Sequence, residues 1–152
     1  MRIPVLFFAA LSMEALLAGQ EEKKIPRSAL PPPVEKTVAA QSQGATIRGF
    51  SQEKENGQTY YEAEMMVEGH GKDILIDKDG AIVEIEEEVA FDSLPQAVKN
   101  GLQSKAGHGK IVKVERLSKH DKLVAYEAQV QTSGRKKEIQ VGPNGQTLDH
   151  EE

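Results

Sequence analysis

The sequence predicts an α+β fold: a tandem repeat of one helix plus a four-stranded antiparallel sheet, with the helices packed on one sheet face. Three observations lead there. First, Tyr60–Met65 (YYEAEM) recurs as Ala125–Val130 (AYEAQV), and Lys72–Val83 (KDILIDKDGAIV) recurs as Lys137–Leu148 (KEIQVGPNGQTL), both at one common offset. Second, Ala29–Val38 (ALPPPVEKTV) recurs as Ser93–Leu102 (SLPQAVKNGL) with helical spacing of its apolar residues, at an offset that differs by a single insertion or deletion. Third, the segments after each helix switch to a period of two.

The elements follow in chain order. Residues 1–19 combine a basic start at Arg2, an apolar run Ile3–Leu11 and small residues near Gly19. That is the pattern of a signal peptide, and the run is too short and too interrupted by Glu14 for a spanning helix. No stable membrane anchor is expected once it is cleaved. Residues 20–28 form a polar leader, expected to be flexible. The first repeat covers 29–91. Its helix presents Leu30, Val34 and Val38 on one face, begins near Pro33 and stops at Gly44. Thr46–Gln52 is its first strand, and Asn56-Gly57 is a tight-turn dipeptide. The next strand alternates Tyr61, Ala63, Met65 and Val67 against Glu62 and Glu64, which marks one packed and one solvated face. Lys72–Ile76 and Ala81–Glu86 complete the sheet around a turn at Asp79-Gly80.

The second repeat covers 92–152. Ser93 is in N-cap position, Pro95 lies in the first turn and Gln96 completes a capping box, ahead of Leu94, Val98 and Leu102 on one face. Strands are expected at Lys110–Arg116, around Tyr126, at Lys137–Val141 and at Gln146–Asp149, with a turn at Asn144-Gly145.

Composition narrows the function. There is no Cys, so disulfides and thiolate chemistry are excluded. The chain carries 19 Lys+Arg against 24 Asp+Glu. Residues 1–19 contain one charge of each sign, so the balance of −5 belongs to the mature protein. Such a chain is a poor match to nucleic acid, which is bound by neutralising phosphates. Export without cysteine suits a periplasmic or secreted protein of a bacterial envelope.

The Leu-Pro-x-x-Val helix starts (Leu30-Pro31-Pro32-Pro33-Val34 and Leu94-Pro95-Gln96-Ala97-Val98), the Tyr-Glu-Ala strands (Tyr61-Glu62-Ala63 and Tyr126-Glu127-Ala128) and the turns ending at Gly80 and Gly145 resemble the PepSY-like, β-lactamase-inhibitor-like family over 29–152. The resemblance implies tandem α+β units in an exported protein, with peptidase inhibition or regulation as the associated role. It brings no catalytic residues and no cofactor.

No catalytic constellation emerges from the residues either. His70, His108, His120 and His150 form no ligand motif, and no serine has a nucleophile-elbow context. Asp77 and Asp79 resemble the start of a calcium loop but lack its later ligands, so no metal site is assigned. A turn explains both, with calcium or small-ligand binding by Asp77, Asp79 and nearby Glu residues such as Glu84 as the alternative. The expected function is therefore non-enzymatic binding of an envelope or secreted protein or peptide. Tyr61 and Tyr126 belong under the helices. Tyr60, one position out of phase, is the expected contact residue, joined by Phe50.

Overall fold

The computed structural model describes residues 21–55 and 57–152. Residues 1–20, which include the expected signal peptide, and Asn56 of the expected tight turn lie outside the described residues. Among the described residues, eight strands and two α-helices follow in the order β1 (Glu21–Lys24), α1 (Pro32–Gln41), β2 (Ala45–Glu55), β3 (Gln58–Val67), β4 (His70–Asp77), β5 (Ile82–Glu88), α2 (Gln96–Ala106), β6 (Lys110–Lys119), β7 (Lys122–Thr132) and β8 (Arg135–Val141). They form two compact units. One holds residues 21–88 with the hairpin tip Ser118–Lys122; the other holds Val89–Leu117 with Leu123–Glu152. In each unit helix packs on antiparallel sheet, and strands neighbour one another in chain order.

In the first unit, β3 pairs with β4 so that Tyr61 faces Ile76, Ala63 faces Ile74 and Met65 faces Lys72. This register gathers one face of the sheet under α1. Leu30, Val34 and Val38 meet Phe50, Ala63, Met65, Ile74 and Ile76 there, with Tyr61 and Ile85 packed beside them. Val34 and Val38 are fully buried, and each such side chain contributes about 1.5–3 kcal/mol. A bulge between Ile47 and Gly49 shifts the phase of β2, so Ile47 and Phe50 both reach the core although three positions apart.

From Glu21 onward the leader is built into the sheet rather than left free. Glu21–Lys24 forms β1, antiparallel to β2 from Glu21 opposite Lys54 to Lys24 opposite Ser51. Ile25 then donates its N–H to the Phe50 carbonyl and packs on the core. An edge strand satisfies backbone groups and tolerates an all-charged sequence, so apolar content alone misses it.

In the second unit a helix again covers one face of the sheet. Leu94, Val98, Leu102 and Ala106 cover Val114, Tyr126, Ala128, Val130, Ile139 and Val141. Tyr126 pairs with Val141 as Tyr61 pairs with Ile76. Two expectations fail here. Ser93 does not cap α2: it ends a short 3-10 turn, Phe91–Ser93, and donates to the Ala90 carbonyl at 2.7 Å. Pro95 takes the N-cap position, and its ring fixes the backbone at φ −54°. Gln146–Asp149 is not a strand. Gly142 still donates to the Gln146 carbonyl, as Asp77 does to that of Ala81. Beyond that point QTLD offers one apolar residue where β5 offers Ile82 and Ile85, too little to hold a strand on the core.

The glycine turns are docking elements. Gly80 (φ 89°) and Gly145 (φ 76°) lie against the first turns of α1 and α2. A Cβ on Gly80 would stand 2.7 Å from the Pro33 carbonyl oxygen, and one on Gly145 would collide with the Ala97 carbonyl. Thr37 fixes the first contact by donating its hydroxyl to the Gly80 carbonyl at 2.6 Å.

Candidate functional site

The site lies in the first unit, on the sheet face away from α1. Alternation along β2 and β3 sends Ser51 and Glu53, and Glu62 and Glu64, to that face. Register sets the neighbours: Ser51 opposes Glu62, Gly49 opposes Glu64, and Glu53 opposes Tyr60. β1 adds Glu22 beside Glu53 and Lys24 beside Ser51. A second bulge, between Leu75 and Ile76, lets β5 pair Ile82 with Ile76 and keep Ile85 on the core while placing Glu84 and Glu86 among the acids.

This face is not uniformly solvated, as simple alternation implied. Glu62, Glu84 and Glu86 are buried, and Glu53 is 0 % exposed. A buried carboxylate requires a partner. Most have one. Glu62 accepts from the Ser51 hydroxyl at 2.7 Å, Lys24 bonds Glu64, and Lys119 stands 3.8 Å from Glu84. Glu53 differs: among the described residues, neither of its carboxylate oxygens has a hydrogen-bond partner. Burial, with Glu62, Glu22, Glu84 and Glu55 around it, pushes its carboxyl up to about 9. Glu62 rises to about 7, raised by burial, held back by Ser51, and raised again by Asp73, Glu64 and Glu22. Ligand oxygens of Glu22, Glu53 and Glu62 lie within 4.8 Å of one another.

The comparable face of the second unit is settled differently. Glu127, the repeat equivalent of Glu62, is buried and accepts from Gln140 Nε2 at 2.8 Å. Gln140 Oε1 accepts from the Glu152 N–H at 2.8 Å. Burial, opposed by the Gln140 hydrogen bond, lifts Glu127 to about 8, with Glu138, Glu115 and Glu151 adding to the rise.

The residues singled out in the sequence divide. Tyr60 sits on the acidic face, partly buried between Glu53 on β2 and Asp77 on β4, and donates its hydroxyl to Gln58 at 2.7 Å. Burial, then Glu55 and Asp77, raises its phenol. Phe50 is 6 % exposed within the core cluster, so it offers no contact surface. The β2 bulge turned it inward. Asp77 Oδ1 accepts from the backbone of Asp79 and Ala81, both at 2.9 Å, and Lys78 holds Asp79. Asp77 Oδ1 is thus committed to the turn. All four histidines are exposed. Glu53 and Glu22 were missed, because their convergence depends on β1 and on the bulged register.

The sequence places this architecture in a family. The model described as "Putative beta-lactamase-inhibitor-like, PepSY-like" matches residues 18–84 and 59–148, most of the chain. The chain belongs to the PepSY-like family. Solved structures share its fold at low identity. A protein described as "putative periplasmic" from Bacteroides eggerthii is 20 % identical, with a TM-score of 0.62 over 78 % of this chain and 85 % of the other. A BLIP-like protein from Bacteroides fragilis is 20 % identical, with a TM-score of 0.57 over 78 % and 83 %. A DUF2874 family protein from Bacteroides ovatus is 20 % identical, with a TM-score of 0.59 over 78 % and 85 %. No curated protein matches the chain. At such identity the likeness is one of fold, and fold does not carry function.

Proposed function

We propose that this PepSY-like chain is an exported, non-enzymatic module that binds a protein or peptide partner in the periplasm or outside the cell. The observation that carries the reading is Tyr60. It is an aromatic ring left partly accessible on a polar sheet face, fixed in register between Glu53 and Asp77. Aromatic anchors ringed by polar groups concentrate binding energy. The periplasmic and BLIP-like descriptions of similar folds support the address and the mode. The two helix-on-sheet units are read as copies of one motif, in keeping with the sequence repeat. The sharpest form of the proposal is an inhibitor or regulator of an envelope peptidase.

The test is cross-linked capture from the native envelope with the wild-type chain and Tyr60→Ala. A specific partner whose affinity falls about tenfold or more in the variant supports the reading, since a central aromatic is worth about 1.4 kcal/mol or more. Capture of no specific protein, or equal capture by both, overturns it. Titration against the envelope's peptidase activity then decides the inhibitor form.

A further inference from the structure

We propose that Glu22, Glu53 and Glu62 form a binding site for a hard divalent cation, of which Ca²⁺ is the best match. Acidic clusters are common on protein surfaces, but this one contains a carboxylate with no other account. Glu53 is completely buried, aimed at two further carboxylates, and unbonded at both oxygens. On the same face Glu62, Glu64 and Glu84 have a hydroxyl or an ammonium partner. Glu53 therefore lacks only what a cation would supply.

The fold does not need an acid at this place. The repeat equivalent of Glu53, matched through the core pair Phe50 and Val114, is Leu117, buried and outside the helix-side cluster. An apolar side chain fills the same slot there. The second unit also shows how a buried glutamate is satisfied without metal, since Gln140 holds Glu127. In the first unit the position matching Gln140 is Leu75, which offers no hydrogen bond. Ser51 serves Glu62 there and Lys24 stands 3.8 Å from Glu22, which leaves Glu53 as the acid without a partner among the described residues.

The donor set selects the ion. Three carboxylates, with the Ser51 hydroxyl bonded to one of them, present oxygen alone, which favours Ca²⁺ over ions that prefer nitrogen or sulfur. Ca²⁺ binds oxygen at about 2.4 Å, so opposite ligands stand about 4.8 Å apart. The carboxylates fall within that span. Mg²⁺, at about 2.1 Å, demands a tighter shell. Glu22 is exposed and gives the ion an entrance from solvent, where water completes the coordination.

The experiment is calorimetric titration of the purified chain with CaCl₂, and separately with MgCl₂, with thermal unfolding followed in parallel. One Ca²⁺ site is expected, with Kd about 10⁻⁴–10⁻³ M as in extracellular modules, a raised Tm, and weaker Mg²⁺ binding. Glu53→Gln keeps the shape and should weaken Ca²⁺ at least tenfold. Glu22→Gln, on an exposed strand, should do the same without touching the interior. Asp77→Asn should leave the affinity unchanged. Absence of heat and of any Tm change up to about 5 mM Ca²⁺, in conditions under which binding at about 1 mM would register, overturns the proposal. So does binding that survives both glutamate substitutions, or that is lost in Asp77→Asn alone. None of these outcomes bears on partner capture through Tyr60.

Discussion

Replacing Glu127 by Gln should change how stability depends on pH. Glu127 is buried on the sheet face away from α2, bonded by Gln140 Nε2 and surrounded by Glu115, Glu138 and Glu151. Its carboxyl ionises near 4.5 in the unfolded chain and near 8 in the folded one. Between those values the unfolded state binds fewer protons than the folded state. Stability therefore falls as pH rises, by about 1.4 kcal/mol for each unit of pH. The contribution is complete below about 4.5, is lost across the window, and is gone above about 8. Over the whole window one such group accounts for about 3–5 kcal/mol. Glu127→Gln removes the titration and keeps an oxygen to accept from Gln140. The variant should match the wild type within about 1 kcal/mol at pH 4.5 and exceed it by about 3–5 kcal/mol at pH 9. Urea unfolding followed by far-UV circular dichroism at pH 4.5, 6, 7.5 and 9 measures this; there is no Trp to serve as a fluorescence probe. Comparison with the wild type isolates Glu127 from the other buried acids. Parallel stability curves for the two proteins would refute the reasoning, as would a variant less stable at pH 9.

Three further substitutions test the packing. Gly145→Ala should lose about 2–4 kcal/mol, from a left-handed backbone and a collision with the Ala97 carbonyl, whereas Gly134→Ala, equally left-handed but with open space around it, should lose only about 1–2 kcal/mol; equal losses in chemical denaturation would show that the turn does not dock on the helix. Phe50→Ala should lower stability by about 3–5 kcal/mol, and a variant of unchanged stability that had lost partner binding would restore Phe50 as a contact residue.

Helix positions, most strands and the core residues were legible because each rests on local information. Leu30, Val34 and Val38 share a helix face by spacing alone, and Tyr61, Ala63 and Met65 share a strand face by alternation. Failures cluster where tertiary context decides. Ser93 has the right residue type for a cap, but Pro95 fixes the helix start two positions later. Phe50 looked available because strict alternation assumes no bulge, and the irregularity at Ile47/Gly49 moves it into the core. Glu21–Lys24 has no apolar periodicity, yet an edge strand needs only a neighbour with free backbone groups. The carboxylate site depends on that strand. Glu22 and Glu53 stand on either side of α1 in the sequence, and only the β1–β2 register makes them neighbours.

The two units show that one sheet can be finished in two ways. The helix-side face is conservative: Tyr61 and Tyr126 pair with Ile76 and Val141, and each glycine turn docks on its helix. Changes there would open cavities or collide with backbone. The opposite face is free to diverge, because only hydrogen bonding and charge constrain it. At Glu127 the second unit adopts an amide partner and becomes self-sufficient. At Glu62 the first unit has Ser51 instead, keeps Leu75 opposite, and gathers Glu53 and Glu22 alongside. An acid that the fold itself requires should have its partner built in, as Glu127 does. Glu53 has none. The departure from symmetry, more than the acidity of the chain as a whole, marks the first unit as the one shaped by something outside the polypeptide.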